Sequence, residues 1–426
     1  MKYVLNRFAL KFSFMLSFAL LAACSSVQSD LPAPAVNDTY THSVSVDIDP
    51  SLTPQEVEAR YGGDVVVWRP EAGFAVLGLS GGAFSTQSLE GAVLEPNQNE
   101  VVAPEAEVTA SSVWGGGNNA WSGGNNAWSG GNNAWSGSLN SEPTLSLQNS
   151  DIWWQISLGD GFWLAPRRGA GIKVAVIDSG LDLGHPAFAN RLAPSHEWRD
   201  FVDGDAYPQD ERLEGGGNYG HGTGVAGIVL QVAPNATILP LRVLDAEGAG
   251  DITDVAAAVD HAVAAGADVI NLSLGTDEDS EVLNRMLAYA AERKVFVTAS
   301  SGNTGDSNIT YPARNAREGT KAGAYLLSVG SVDAYNRLST FSTYGDALEL
   351  TAPGEYIYTA FPGNQVGYWS GTSFAVPMVT GTLALILGEN EGDKKTVAKK
   401  LEQVVNTYSL HYVPLNVRNF VAWTLY

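Results

Sequence analysis

From Asp151 onward, short apolar runs rich in Val, Ile and Ala alternate with longer stretches whose apolar positions recur at helical spacing. The runs at Lys173 to Ile177, Thr237 to Leu244, Asp268 to Leu274, Val295 to Ser301, Leu326 to Val332 and Leu348 to Ala352 predict strands. Their hydrophobicity is nearly continuous, which suits strands buried on both faces of a mainly parallel sheet. The stretches at Val225 to Leu230, Asp251 to Ala265, Glu278 to Arg293, Ser373 to Leu387 and Lys394 to Val405 then read as crossover helices of an α/β layered domain. In such a sheet, functional groups gather beyond the carboxyl ends of the strands.

Ahead of this region the pattern changes. Ser43 to Ile48 alternates as a half-buried strand does, and Thr53-Pro54-Gln55-Glu56 is a capping box with proline at the first helical position, opening a helix to about Arg60. Strands at Asp64 to Trp68 and Phe74 to Leu79 complete a small α+β unit, which gains stability by docking on something larger. Residues 114–137 repeat Asn-Asn-Ala-Trp-Ser-Gly-Gly, with Trp114, Trp121, Trp128 and Trp135 at a seven-residue spacing. Gly and Asn are poor helix formers, so the period is not that of a coiled coil. It reads either as a flexible linker or as a row of aromatic platforms for glycan or for the enzyme surface.

At the N-terminus, Lys2, Arg7 and Lys11 precede an apolar stretch from Phe12 to Leu21, too short for a stable membrane span and suited to an export signal. It ends in Leu21-Ala22-Ala23-Cys24, which resembles the lipobox of bacterial lipoproteins and implies cleavage before Cys24 and acylation of its thiol. The other reading is an ordinary signal peptide with an incidental cysteine. The expected organisation is a signal peptide at 1–23, a tether at 24–41, the small domain at 42–100, the repeat linker at 101–150 and the large domain at 151–426. Cys24 is the single cysteine, so intramolecular disulfides are excluded. A net charge of −22 leaves no basic footprint for nucleic acid.

Three motifs carry chemistry. Asp178 ends the strand VAVI, a place where Asp also serves turns. His221 lies in GHGTGVAG at the start of a glycine-rich helix, where it could be no more than a helix-terminal residue. Ser373 lies in SGTSFAVP and opens an apolar helix, where serine is also a favoured cap. Together, in the order Asp, His, Ser, they have the arrangement of a hydrolytic triad. The stretches VAVIDSGLD, GHGTGVAG, ADVINLSLG, ASSGN, LTAPG and SGTSFAVP resemble the successive signatures of the subtilase family of serine proteases over nearly all of residues 151–426.

That resemblance implies a three-layer subtilisin-like fold preceded by a propeptide, since Leu94-Glu95-Pro96-Asn97 is similar to the stretch leading out of such prodomains. It implies Ser373 as nucleophile, His221 as base, Asp178 as the orienter of the imidazole, and Asn303 with the Ser373 amide as oxyanion donors. Extended protein or peptide substrates would lie along Ser273, Leu274 and Gly275, with Gly302 in the pocket wall. The acidic stretch Asp200 to Asp210 resembles the calcium loop of thermitase-like subtilases, which implies Asp200, Asp203, Asp205 and Gln209 as side-chain ligands; the alternative is a solvated acidic loop.

The sequence departs from the family at Gly224, where a second His is usual, and at Ala187, where an Asp often ligates a further calcium. Phe374, Val376 and Met378 stand where smaller or more polar residues are usual. The functional expectation is an exported or envelope-anchored serine endopeptidase, autoprocessed from a precursor that its own prodomain accompanies and that lipid at Cys24 holds to a membrane before maturation. The competing expectation is an inactive subtilase fold serving as a binding lipoprotein through its tryptophan repeat.

Overall fold

The computed structural model describes residues 40–80, 89, 92–97, 101–102, 107–108, 149–211, 219–316, 322–390, 393–407 and 413–425. The export signal, Cys24, the tether up to residue 39 and the tryptophan repeat lie outside these residues.

The chain first forms β1 (His42–Asp47), α1 (Pro54–Tyr61), β2 (Asp64–Arg69), β3 (Phe74–Leu79) and β4 (Leu94–Pro96). The strands make an antiparallel sheet in the order β2-β3-β1-β4. The capping box is complete: the Thr53 side chain accepts from the Glu56 amide while the Glu56 carboxylate accepts from the Thr53 amide. Val44, Val46, Val57, Leu77 and Leu79 close a small core between sheet and helix. On this sheet Val67, Phe74 and Val76 belong instead to a core shared with the large domain.

Two short strands, β5 (Val101–Val102) and β6 (Glu107–Val108), precede the helices α2 (Ser150–Gln155) and α3 (Leu158–Leu164). There follow β7 (Lys173–Asp178), β8 (Arg199–Asp200), α4 (His221–Val232), β9 (Thr237–Arg242), β10 (Ala249–Gly250), α5 (Ile252–Ala264), β11 (Val269–Leu272) and α6 (Glu281–Glu292). The chain ends with β12 (Phe296–Ser300), β13 (Leu326–Val332), β14 (Leu350–Pro353), the hairpin of β15 (Ile357–Phe361) and β16 (Gln365–Ser370), α7 (Thr372–Glu389), α8 (Lys394–Thr407), β17 (Val413–Pro414) and α9 (Val417–Leu425).

Eight strands form one sheet in the order β17-β14-β13-β12-β11-β7-β9-β8, paired in parallel throughout. The six expected strands and five expected helices are all present, with ends displaced by a few residues. Alternation along β7 shows how the layers are built: Val174 and Val176 face a core with α4 and α7, while Ala175 and Ile177 face one with α5 and α6. This is the expected three-layer fold.

Helix α7 is apolar all round and is long and apolar enough to cross a membrane, yet nearly all of it is buried inside the protein. It is the central core helix. Its interior Pro377 offers no amide to the carbonyl four residues earlier, that of Ser373. The Ser273 hydroxyl donates to that carbonyl instead, at 2.8 Å. A sequence feature that weakens a helix is thereby turned into a tie between α7 and the end of β11.

Candidate active site

Asp178 is the last residue of β7, and its carboxylate meets the imidazole of His221, the first residue of α4. His221 Nδ1 donates to Asp178 Oδ1 at 2.7 Å, and the Ser179 amide donates to the same oxygen at 2.8 Å. Both side chains are fully buried. The approach depends on Gly222, because a Cβ there would stand 2.2 Å from the Gly180 carbonyl oxygen and 3.1 Å from Asp178 Cβ. With Nδ1 committed to the carboxylate, the ring's other nitrogen is the one left to exchange a proton. Among the described residues, His221 Nε2 has no hydrogen-bond partner.

Ser373, one residue inside α7, is also fully buried. Its hydroxyl donates to the Ser273 carbonyl at 3.3 Å, so it rests turned toward β11 and not toward His221 Nε2. The rings of the neighbouring residue Phe374 and of His221 lie 5.3 Å apart, which brings the serine and the histidine into one site. Beneath the serine runs a buried polar chain. Asn271 donates to the Ser273 hydroxyl at 3.0 Å, Thr380 donates to Asn271 Oδ1 at 2.7 Å, and the Thr298 and Thr380 hydroxyls are 2.7 Å apart. Every member is paired, which makes such a network rigid.

Asn303 follows β12, after Gly302, whose positive φ of 106° favours glycine. The Thr372 amide and hydroxyl both donate to Asn303 Oδ1, at 2.9 and 2.8 Å. Holding the carbonyl end fixes the direction of the amide end, as an electrostatic donor to a developing oxyanion requires. Gly302 is itself held by a bond from the Thr343 amide to its carbonyl at 3.0 Å. Ser273, Leu274 and Gly275 lie just past β11 and are buried. Beyond them, Thr276 exchanges backbone bonds with Tyr311 at 2.8 Å in each direction.

Sequence reasoning missed Asp210, which it counted only as one carboxylate of an acidic loop. Asp210 turns inward. It accepts from the Gly220 amide at 3.1 Å, from the Thr223 hydroxyl at 2.8 Å and from the Ser179 hydroxyl at 3.4 Å, tying the start of α4 to the turn after Asp178. Burial pushes its carboxyl up to about 7 despite those bonds, and the nearby Asp178 raises it further. The departure at Gly224 also gains a reason. The Phe374 ring stacks on Trp369 at 4.9 Å and fills the space beside the glycine, so that a Cβ on Gly224 would lie 3.2 Å from Phe374.

The four residues expected to hold calcium do not form a site as placed. Arg242, at the end of β9, puts its own cation there, donating to Asp200 at 2.9 Å, Asp203 at 2.6 Å and Glu211 at 2.9 Å. Asp200 also accepts from the amides of Val202 and Asp203. Asp205 accepts from the Tyr207 amide, and Gln209 Oε1 accepts from Leu183. Among the described residues no group of three or more His, Cys, Asp or Glu side chains is arranged to hold a metal ion. As placed, the side chains of this loop are taken up by a guanidinium and by backbone amides. Ala187 is buried in the core.

Comparison with known proteins bears on the whole domain. The profile described as "Subtilase family" matches residues 169–414. A "Thermophilic serine proteinase" of Bacillus sp. (strain AK1) is 35% identical over 260 residues, 59% of this chain and 60% of that protein. "Thermitase" of Thermoactinomyces vulgaris is 37% identical over 232 residues, 52% of this chain and 77% of its own length. "Subtilisin BL" of Lederbergia lenta is 38% identical over 231 residues, 52% of this chain and 78% of its own.

Proposed function

This chain belongs to the subtilase family, and we propose that it is a serine endopeptidase working through Asp178, His221 and Ser373. The observation that carries the reading is the buried 2.7 Å contact from His221 Nδ1 to Asp178, which leaves Nε2 as the nitrogen that exchanges protons. A serine hydroxyl is too weak a nucleophile at its own pKa, so His221 takes its proton as Ser373 turns from the Ser273 carbonyl to attack the substrate. Asp178 holds the tautomer and stabilises the imidazolium. The Asn303 amide and the Ser373 backbone N–H receive the negative oxygen, and the imidazolium then protonates the leaving amine. Extended protein or peptide segments pair along Ser273 to Gly275, with Gly302 in the pocket wall.

The unit from β1 to β4 is the prodomain. Its last residues reach the helices it covers: Glu95 accepts from the Ser280 hydroxyl at 2.7 Å and from the Glu281 amide at the start of α6. Asn97 accepts from the Ile252 and Thr253 amides at the start of α5. Carboxylate and carbonyl groups at these positive helix ends are favourably placed. The precursor is exported, held at the envelope through acylated Cys24, and autoprocessed.

Incubating wild type and Ser373→Ala chains with a serine-directed fluorophosphonate probe tests the reading. Labelling of the wild type alone is expected. A wild type that stays unlabelled after its prodomain is removed would overturn it in favour of a binding protein.

A further inference from the structure

Strands β11 and β12 and helix α7 carry polar side chains inside an apolar core. Asn271, Thr298 and Thr380 are fully buried. Burying such groups costs stability unless they are bonded, and valine or leucine in these places would serve packing as well. Their spacing is that of two facing rows. Asn271 and Ser273 are two apart at the end of a strand, while Ser373 and Thr380 are seven apart, two turns along one side of a helix.

Counting protons gives the bonds between them a direction. Ser273 has one hydroxyl proton and donates it to the Ser373 carbonyl at 2.8 Å, so toward Asn271 it can only accept, at 3.0 Å. The amide end of Asn271 is thereby turned to Ser273 and its carbonyl end to Thr380, whose single proton it takes at 2.7 Å. Thr380 in turn accepts from Thr298 at 2.7 Å. The donations run from Thr298 through Thr380, Asn271 and Ser273 and end on the Ser373 carbonyl, the group that Pro377 leaves without a helix amide. Bonds aligned head to tail polarise and strengthen one another. The residue they hold carries both the nucleophilic hydroxyl and a backbone N–H assigned above to the negative oxygen.

We propose that Asn271 and Thr380 are positioning residues for the nucleophile, acting through the Ser273 hydroxyl on the Ser373 carbonyl. The inference rests on the serine-protease reading above. A small shift at the start of α7 would misalign the hydroxyl and the backbone N–H together. Neither Asn271 nor Thr380 is among the residues assigned to substrate, so their loss should appear in the chemical step and not in binding.

The test is steady-state peptide hydrolysis and fluorophosphonate labelling by chains prepared as the full-length precursor. Thr380→Val, which keeps the shape and removes the hydroxyl, should lower kcat and the labelling rate about tenfold with KM little changed. Thr380→Ser should restore both. If Thr380→Val does not fold, Asn271→Leu reads the same link, since the Thr380 hydroxyl can then turn to the Val376 carbonyl at 3.1 Å. Because the effect runs through Ser273, Thr380→Val should lower kcat little further in a Ser273→Ala background. Equal losses in both backgrounds, a Thr380→Ser enzyme as slow as Thr380→Val, an unchanged kcat, or a loss confined to KM would overturn the assignment and leave the protease reading standing. A wild type still unlabelled after its prodomain is removed would overturn both.

Discussion

At the residue scale the site works by fixing groups that sequence alone presents as ambiguous. Asn303 after a glycine reads as a turn until Thr372 is seen holding its Oδ1 with two donors. Replacing Asn303 with Ala should lower kcat by about 10²–10³, the size of losing one such donor in a related enzyme, with KM little changed. Steady-state kinetics on one peptide substrate decides this, and an equal loss confined to KM would assign Asn303 to ground-state binding. Gly224 was legible only as a departure, because its explanation is the Phe374 ring about 150 residues away in sequence. Adding a Cβ there asks Phe374, Thr359 or Trp369 to give by a few tenths of an ångström, so Gly224→Ala should lose to this crowding the ~1 kcal/mol that alanine otherwise gains over glycine inside a helix. Combining it with Phe374→Leu should cost less than the sum of the two single changes, as read from denaturant midpoints. Asp210 was hidden for a different reason: an acidic loop residue and a buried positioning carboxylate look alike until the chain is folded.

At the scale of elements, the central strands were legible because parallel strands covered on both faces leave a continuous apolar trace. The elements that escaped notice lack such a trace. Helices α2 and α3 are short and α3 is interrupted by Gly159 and Gly161, while β15 and β16 form a hairpin outside the parallel sheet. The acidic loop shows the limit of motif reading most sharply. Its carboxylates pair with Arg242, a single charge closing the apolar strand Thr237–Arg242, and the loop's own sequence does not reveal that partner. Burial pushes the Asp200 carboxyl up even beside this partner, so removing the guanidinium leaves a costly buried charge. Arg242→Gln should destabilise the domain by about 3–5 kcal/mol, measured by thermal or denaturant unfolding. Wild-type unfolding should be indifferent to a calcium chelator as far as this loop is concerned. A chelator effect abolished by Asp200→Asn would assign a calcium ion to this loop.

At the scale of the whole molecule, the β1–β4 unit, which we propose as the prodomain, covers α5 and α6 through an apolar face and a set of charges whose balance shifts with pH. Arg69 of β2 donates to Asp260 of α5 through two nitrogens, at 2.6 and 2.7 Å, and Arg285 of α6 and Arg293 just after it pair with Asp47 and Glu71. Burial pushes Asp260 up to about 6 against the attraction of Arg69, and Glu71 raises it further while Arg293 lowers it. Burial likewise raises Glu95 against its bonds to Ser280 and Glu281. Separation of this unit would expose both carboxyls to water and return them toward their ordinary values. A carboxyl whose pKa is higher in the docked state is bound more tightly as the protonated form. The contribution of Asp260 is therefore complete below about pH 4 and is lost as pH rises through about 6. Docking should weaken over that window. After self-cleavage, the lag before peptide hydrolysis reaches its full rate should accordingly shorten between pH 5 and pH 7. Asp260→Asn should flatten that dependence, because a side chain that cannot ionise has no proton to lose. A lag that lengthens with pH, or one that Asp260→Asn leaves unchanged, would place control of prodomain release somewhere other than this ion pair.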